Sequence, residues 1–442
     1  MVDRGLESMA ITAKAEEADV FAVPAASVEF VEQAEARRWP ADWLGRMLAL
    51  RMPTWRIAEA LFSTSGFPTG EMIEADLRDR ERLTNGLCVR EATWEDDERL
   101  SDLFANSSER LGEWDVTVER SPNPYAQQRL QENSHVKLLV DRGVALGVNV
   151  ASGRSSLVGG QRLSALWMGG WRVRNGFRRL GYSSLMLNSP GSHASVAGMI
   201  SYWYVRLENQ TASSWIAHEV SGIESNAGRT SEKLTATVHH FHTSPDAVRA
   251  VAPSSVVVRA VRPEDLPACV GLINRTHDGL DLFRPYSVDW LNNRLDDLFW
   301  GPKPPFVPHV YGWNDMVVVE EAGEIVACGG LWDRGRDARE RWRHRTTGEE
   351  RLTESTCLLD FGFAEGREDA MASLIGHFTG VTRELDRSSL IAPLEFLPSV
   401  LSLLASARPQ PETRVLETMC FAPADAGIDP TMRRPYTDLA YW

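Results

Sequence analysis

Residues 173–184 read VRNGFRRLGYSS. The run before them, LSALWMGGWRV (163–173), has the apolar content of a strand, and GYSSLMLN (181–188) reads as the start of a helix. The turn therefore delivers the chain into a helix whose first N–H groups have no intrahelical partner. Those groups, the positive helix end and a glycine that admits close approach make a place for phosphate. Arg178 and Arg179 would add charge-assisted hydrogen bonds to such an anion. A solvated strand-to-helix turn carries the same residues, so its surroundings must decide.

The surroundings repeat. CVREATWEDDERLSDLF begins at Cys88, and VVRAVRPEDLPACVGLI begins at Val257. Each is a short strand ending in Arg, a turn, and an amphipathic helix with Glu-Asp in its first turn, where carboxylates suit the helix dipole. NPYAQQRLQEN and VDWLNNRLDDL continue the copies as further helices. HVKLLVDRGVALGVNVAS and MVVVEEAGEIVACGGLW then read as hairpins, the second turning at Ala322-Gly323. A spacing of about 170 residues exceeds any solenoid period and indicates a duplicated domain. The seam falls at 242–255, and the organisation is a helical N-terminal extension (1–86), a first domain (87–245) and a second (256–442). The extension reads as a cap on the main body, with a lid or partner-binding segment as the alternative.

Composition narrows the class. With 442 residues, 43% hydrophobic and 24% charged, the chain has the make-up of a soluble multidomain protein. A net charge of -14 argues against nucleic-acid or anionic-membrane binding. Five cysteines without CxxC pairs fit reduced thiols, and with no export signal the expected location is cytoplasmic. His240 and His242 share a strand face, but no Cys or carboxylate completes a metal site, so no metal is expected.

The segment WRVRNGFRRLGYSSLML resembles the acetyl-coenzyme A loop of the GCN5-related N-acetyltransferases. Arg178, Gly181 and Ser183 stand at that motif's three key places, Ser183 replacing Gly or Ala. SYWYVRLEN, ending at Asn209, and the following NQTASSWIAHEV are similar to the family's strand, Asn and helix. The likeness covers 87–245 well and 256–423 by layout. It implies an α+β fold of two tandem mixed central sheets flanked by helices, with acetyl-coenzyme A as co-substrate. It further implies coenzyme contacts at Trp171, Val173, Arg178, Arg179, Leu180, Gly181, Tyr182, Ser183 and Asn209, and strands that splay apart around the thioester. Where the family often keeps an acidic Tyr, this chain has Ile216, and LWMGGWRV lacks the frequent glutamate base.

Substitutes for these groups are Glu208 at the end of the strand after the loop helix, and His218 on the next helix. A surface carboxylate and a solvated histidine are the plainer readings of both. Glu113 and Asp115, in LGEWDVT between the first two helices, are expected to contact the acceptor. In the second copy, GFAEGREDAMA replaces the arginine-rich turn with three carboxylates, so that domain is expected to be degenerate and not to bind the coenzyme. His277, Asp278, Asp281, Arg284 and Tyr286 either reach the first domain's substrate or pin their own loop. The function these readings point to is direct acetyl transfer from acetyl-coenzyme A to a small-molecule amine. A different acyl group or acceptor, a non-catalytic acyl-coenzyme A sensor or scaffold, and a pure interaction protein remain alternatives. Oligomeric state is left open.

Overall fold

Both repeats begin with the same ion pair. In the computed structural model, Arg90 grips Asp96 with two hydrogen bonds of 2.7 Å, and Arg259 grips Asp265 at 2.6 and 3.1 Å. Each Asp also accepts a main-chain N–H from the turn before it, Thr93 at 3.0 Å and Arg262 at 2.8 Å. The Arg hydrogen bond, strongest among these contacts, holds each carboxyl below its ordinary pKa. A strand-end Arg is thus locked to the N-terminal turn of the next helix, which sets the strand–helix angle twice in one chain.

The structure describes residues 87–120, 124–178, 182–187, 200–214, 216, 229–242, 256–299, 309–394, 397–407, 412–423, 435–437 and 439. The extension expected over 1–86, the seam from 243 to 255, and Arg179, Leu180, Gly181 and His218 lie outside the described residues.

The first half runs β1 (Leu87–Glu91), α1 (Asp97–Ala105), β2 (Ser108–Leu111), β3 (Trp114–Arg120) and α2 (Ala126–Arg129). It continues with β4 (Ser134–Asp141), β5 (Val144–Val158), β6 (Gln161–Val173), α3 (Tyr182–Leu187), β7 (Ile200–Arg206), a helix starting at 210, and β8 (Arg229–His242). The second half begins with β9 (Val256–Ala260), α4 (Leu266–Thr276), α5 (Val288–Leu295), β10 (Met316–Glu321) and β11 (Glu324–Trp332). Then come α6 (Arg334–Asp337), β12 (Ala338–His344), β13 (Glu350–Thr353), β14 (Ser355–Phe363), α7 (Glu368–Glu384), β15 (Ser389–Ala392), α8 (Pro398–Ala407) and β16 (Glu412–Pro423).

Two hairpins carry the repeat further. Arg142-Gly143 and Ala322-Gly323 each close a two-residue turn with both φ angles positive (48° and 85°, 52° and 89°), the twist that antiparallel strands favour. The next strand of each half carries the same bulge. Between Val148↔Arg172 and Val150↔Gly169, two β6 residues face one of β5; between Cys328↔Gly362 and Gly330↔Leu359, two β14 residues face one of β11. The first bulge residue is left-handed in both, Gly170 at φ 60° and Asp360 at φ 49°. Positions 170 and 360 are therefore structural equivalents.

The two tandem sheets are joined edge to edge. A twelve-stranded sheet runs β1-β4-β5-β6-β7-β16-β8-β15-β14-β11-β10-β9. The last strand of the second half, β16, lies between β7 and β8 of the first, and β8 in turn pairs with β15. Each half's terminal strand thus completes the other's sheet. The sheet is mixed, with β6/β7 and β14/β15 parallel. A smaller sheet, β13-β12-β3-β2, draws two strands from each half. One buried core likewise spans both, from Leu103, Phe104 and Tyr125 to Phe283, Trp290 and Tyr311.

That core settles the role of the 274–287 segment. His277 is wholly buried, bonded at Nδ1 to the Ile273 carbonyl (2.8 Å) and stacked on Phe283. Asp281 accepts the Gly159 N–H at 2.7 Å. The Leu157 N–H donates to the Phe283 carbonyl, and the Leu282 N–H returns a bond to the Leu157 carbonyl. The segment pins the second half to the β5–β6 hairpin of the first.

Candidate active site

Strands β6 and β7 pair over only three positions, Ala165↔Ile200, Leu166↔Ser201 and Trp167↔Tyr202. Past them β6 stays with β5, turned by the Gly170 bulge, while β7 follows β16. Residues 168–173 and 203–206 therefore diverge, leaving a slot across which, among the described residues, β6 and β7 form no further ladder pairs. Its apolar floor is Ala151, Leu166, Met168, Trp203, Val205 and Ile216, with Trp171 and Ala212 at the margin. Ile216, only 4% exposed, offers no proton at the place where the resemblance would put a phenol.

The 173–184 turn is built from the residues that the sequence singles out, though its described cations are already engaged. Arg174 pairs with Asp102 of α1 and donates from Nε to the Ala145 carbonyl (3.1 Å). The Arg178 guanidinium donates to the carbonyls of Val173 (3.4 Å) and Ser108, so it braces the turn against β2. Gly176, at φ 87°, makes the bend, and Phe177 stacks on Tyr182 at 6.4 Å. Trp171, Val173 and Tyr182 pack together over Leu139, Leu146 and Met186, with Ser183 half-buried beside them. The Asn209 side chain caps the helix starting at 210, accepting the Ala212 N–H at 3.1 Å.

Opposite the slot stands the small sheet, in a segment whose sequence suggests a loop between helices. Glu113 lies in the β2–β3 turn, where its carboxylate approaches Arg345 (3.6 Å), and Asp115 is on β3. The segment is strand because its far partner, β12, pairs with β3 along seven residues, from Ala338↔Arg120 to His344↔Trp114. Its inward face delivers two carboxylates that the sequence alone does not single out. Glu109 of β2 pairs with Arg172 of β6 and accepts from Asn209 Nδ2 at 3.1 Å. Glu340 of β12 pairs with Arg206 of β7 at 2.5 Å and with Arg334 at 3.2 Å. Burial works against the Arg206 charge, but Glu340 and Glu109 outweigh it and keep its pKa above the ordinary value. Trp342 lies 5.8 Å from the Arg206 guanidinium. The alternation in ARERWRH (338–344) is the available signal for this wall.

Strand β7 ends at Arg206, so Glu208 is not a strand residue. It sits exposed in the following turn and, among the described residues, makes no ion pair. No three His, Cys, Asp or Glu side chains gather as a metal site among the described residues, and no helix there is long and apolar enough to cross a membrane.

The equivalent region of the second half is closed. At the place of Gly170 stands Asp360, fully buried and held by Arg294 (2.9 Å) and the Tyr286 hydroxyl (2.8 Å). At the place of Arg172 stands Gly362, against which α4 packs so tightly that a Cβ would lie 2.5 Å from Leu272 and Ile273 main-chain atoms. Arg367, the cation of the acidic turn, is paired to Asp369 and Glu321.

The fold has known counterparts in structure, though not in sequence: no family model matches the chain and no curated protein matches it. Saccharomyces cerevisiae N-myristoyltransferase with bound myristoyl-CoA superposes with a TM-score of 0.52 at 10% identity, over 79% of this chain and 84% of that one. A second structure of that enzyme, with myristoyl-CoA and inhibitors, gives 0.51 at 10% identity over 79% and 85%. The fold shared with that enzyme is two tandem mixed sheets flanked by helices. A GCN5-related N-acetyltransferase from Sphaerobacter thermophilus matches at 0.44 and 13% identity over 80% and 98%. At such identities it is the fold that is shared. Within that fold, the β6–β7 slot of the first half stands where the resemblance puts the thioester.

Proposed function

We propose that the chain is an acyl-coenzyme A-dependent acyltransferase that moves an acetyl group from acetyl-coenzyme A directly to the amine of a small molecule. The observation that carries this reading is the β6–β7 slot, whose two facing edges lack strand partners among the described residues and whose floor is apolar. A pantetheine arm carries amides that suit such edges, and the turn from 174 to 184 is left for the pyrophosphate. Trp171, Val173, Arg178, Arg179, Leu180, Gly181, Tyr182, Ser183 and Asn209 are the residues proposed to hold the coenzyme. Trp203, Met168, Trp171 and Ile216 crowd the space beneath the slot, which favours a short acyl group over a long one.

The bound thioester supplies an activated acyl carbon; the chain's own residues position and polarise. Main-chain N–H groups of 168–173 face where the oxyanion develops. Arg172 and Arg206 border the slot, so their charge disfavours an ammonium there and favours the neutral amine that attacks. The same charge stabilises a departing thiolate, which suits a site with Ile216 in place of an acid. Glu109 and Glu340 are held by guanidinia, whereas Glu208 makes no ion pair among the described residues, so Glu208 is proposed to take the proton, with His218 as the alternative. Glu113 and Asp115, at the outer end of the small sheet, are proposed acceptor contacts. The closed second half leaves one coenzyme site per chain.

A second reading, an acyl-coenzyme A sensor without turnover, draws on Ile216. Incubation with acetyl-coenzyme A and a panel of amines, following free thiol, separates the two. Thiol release that depends on the amine supports the transferase, and tight binding without release supports the sensor.

A further inference from the structure

Arg120 is a buried cation that no carboxylate holds among the described residues. It ends β3 on the inward face of the small sheet and is 8% exposed. Its guanidinium donates to two neutral amide oxygens, Gln127 at 2.6 Å and Gln128 at 3.4 Å, and lies 4.5 Å from the Phe104 ring. Its Nε, also buried, has no acceptor among the described residues. The charges that act on it are mostly of its own sign: burial, then Arg172 and Arg334, push its pKa down to about 9, against Glu109 alone. Of these neighbours, Arg172 is committed to Glu109, and Arg334 shares Glu340 with Arg206. A desolvated guanidinium in such company is costly unless an anion joins it.

Position says which anion. The coenzyme's phosphates belong to the 174–184 turn, whose Arg178 reaches Ser108 of β2. Arg120 lies one strand further in, on β3, beyond the Ser108↔Thr117 pair and opposite Ala338 of β12. It borders the wall across the slot, where the acceptor must come. Resting on the transferase reading, we infer that the acceptor carries an acidic group beside its amine, as an amino acid does, and that Arg120, behind Arg172, receives that group. The acid would anchor the acceptor with its amine toward the β6–β7 slot. It would also reconcile an overall charge of -14 with a cationic site: the protein repels anions at long range and selects one at contact.

The test uses the full chain and two readouts. In calorimetry at fixed ionic strength, malonate or inorganic phosphate should bind at one site where chloride does not, and Arg120→Gln should weaken that binding at least roughly tenfold. Malonate alone would mark a carboxylate acceptor, phosphate alone a phosphorylated one; both support the site. Coenzyme A affinity should be unchanged in Arg120→Gln. In turnover, amino acids should be preferred to their carboxamides by about tenfold in kcat/KM, and Arg120→Gln should bring that ratio toward one. The inference is overturned if neither anion binds better than chloride, if Arg120→Gln binds them as well, or if carboxamides are the better acceptors. If Arg120→Gln does not fold, the anion titration of the unmodified protein still decides. Anion binding without any thiol release would sink the transferase reading while leaving the anion site standing.

Discussion

The closure of the second half makes a sharp prediction at Gly362. Its Cα faces the backbone of α4: an added Cβ would sit 2.5 Å from Ile273 N and Leu272 C and 2.7 Å from Ile273 Cα. Ordinary carbon contacts lie at about 3.5–4.0 Å, so α4 must withdraw by about 1 Å. That helix cannot give way cheaply, since Leu266, Cys269, Leu272 and Ile273 are all at most 2% exposed against the sheet. Overpacking a core usually costs about 1–3 kcal/mol, and a backbone-to-backbone clash belongs at the upper end. Gly362→Ala is therefore expected to lower the urea midpoint by the equivalent of about 3 kcal/mol. Gly380, inside α7, is the control, because nothing lies within 4 Å of where its Cβ would stand. There Ala should stabilise by about 0.5–1 kcal/mol, because a helical glycine has only chain entropy to lose. Coenzyme binding should be unaffected by either change. A Gly362→Ala midpoint equal to or above that of the unaltered chain would refute the packing of α4 on β14 and the closure argued from it.

Two further outcomes are expected. Burial raises the Asp337 pKa from 3.8 to about 6, so the folded chain holds a proton between those values that the unfolded chain has lost. Stability due to this group should accordingly fall as pH rises from about 4 to 6, and Asp337→Asn should gain on the unaltered chain by about 2–3 kcal/mol across that range in paired urea titrations; a constant difference would contradict the assignment. Glu208→Gln should lower the turnover rate and leave coenzyme affinity intact, and the rate should rise with pH to a plateau without an alkaline limb from a phenol near about 10. Normal turnover in Glu208→Gln would exclude Glu208 as the base.

What the sequence discloses and what it hides divide by range of interaction. The strand–turn–helix units that open both halves, the Ala322-Gly323 turn and the strand entering 173–184 depend on residues within a few positions of one another and are legible. The Arg90/Asp96 and Arg259/Asp265 locks within those units are not read from the dipole pattern that places their carboxylates. The splay of β6 from β7 is expected only through the family resemblance, because a parallel pairing that stops after Trp167↔Tyr202 leaves no local mark. The small sheet is hidden because β3 finds its partner β12 more than two hundred residues away. With it are hidden Glu109 and Glu340, the carboxylates paired to the arginines of the slot. The exchange of β8 and β16, which joins the two tandem sheets into one, is invisible for the same reason. Glu113 and Asp115 read as loop residues and belong to the β2–β3 hairpin, whose second strand needs that distant partner.

On the proposed function, the first half's slot takes one acyl-coenzyme A and the second half's takes none. Calorimetric titration of the full chain with coenzyme A measures this directly. A single site per chain is expected, lost when Gly181 in the phosphate turn is replaced by Val and retained in Gly362→Ala. Two sites per chain would contradict the closed second half, and no binding at all would contradict the slot itself.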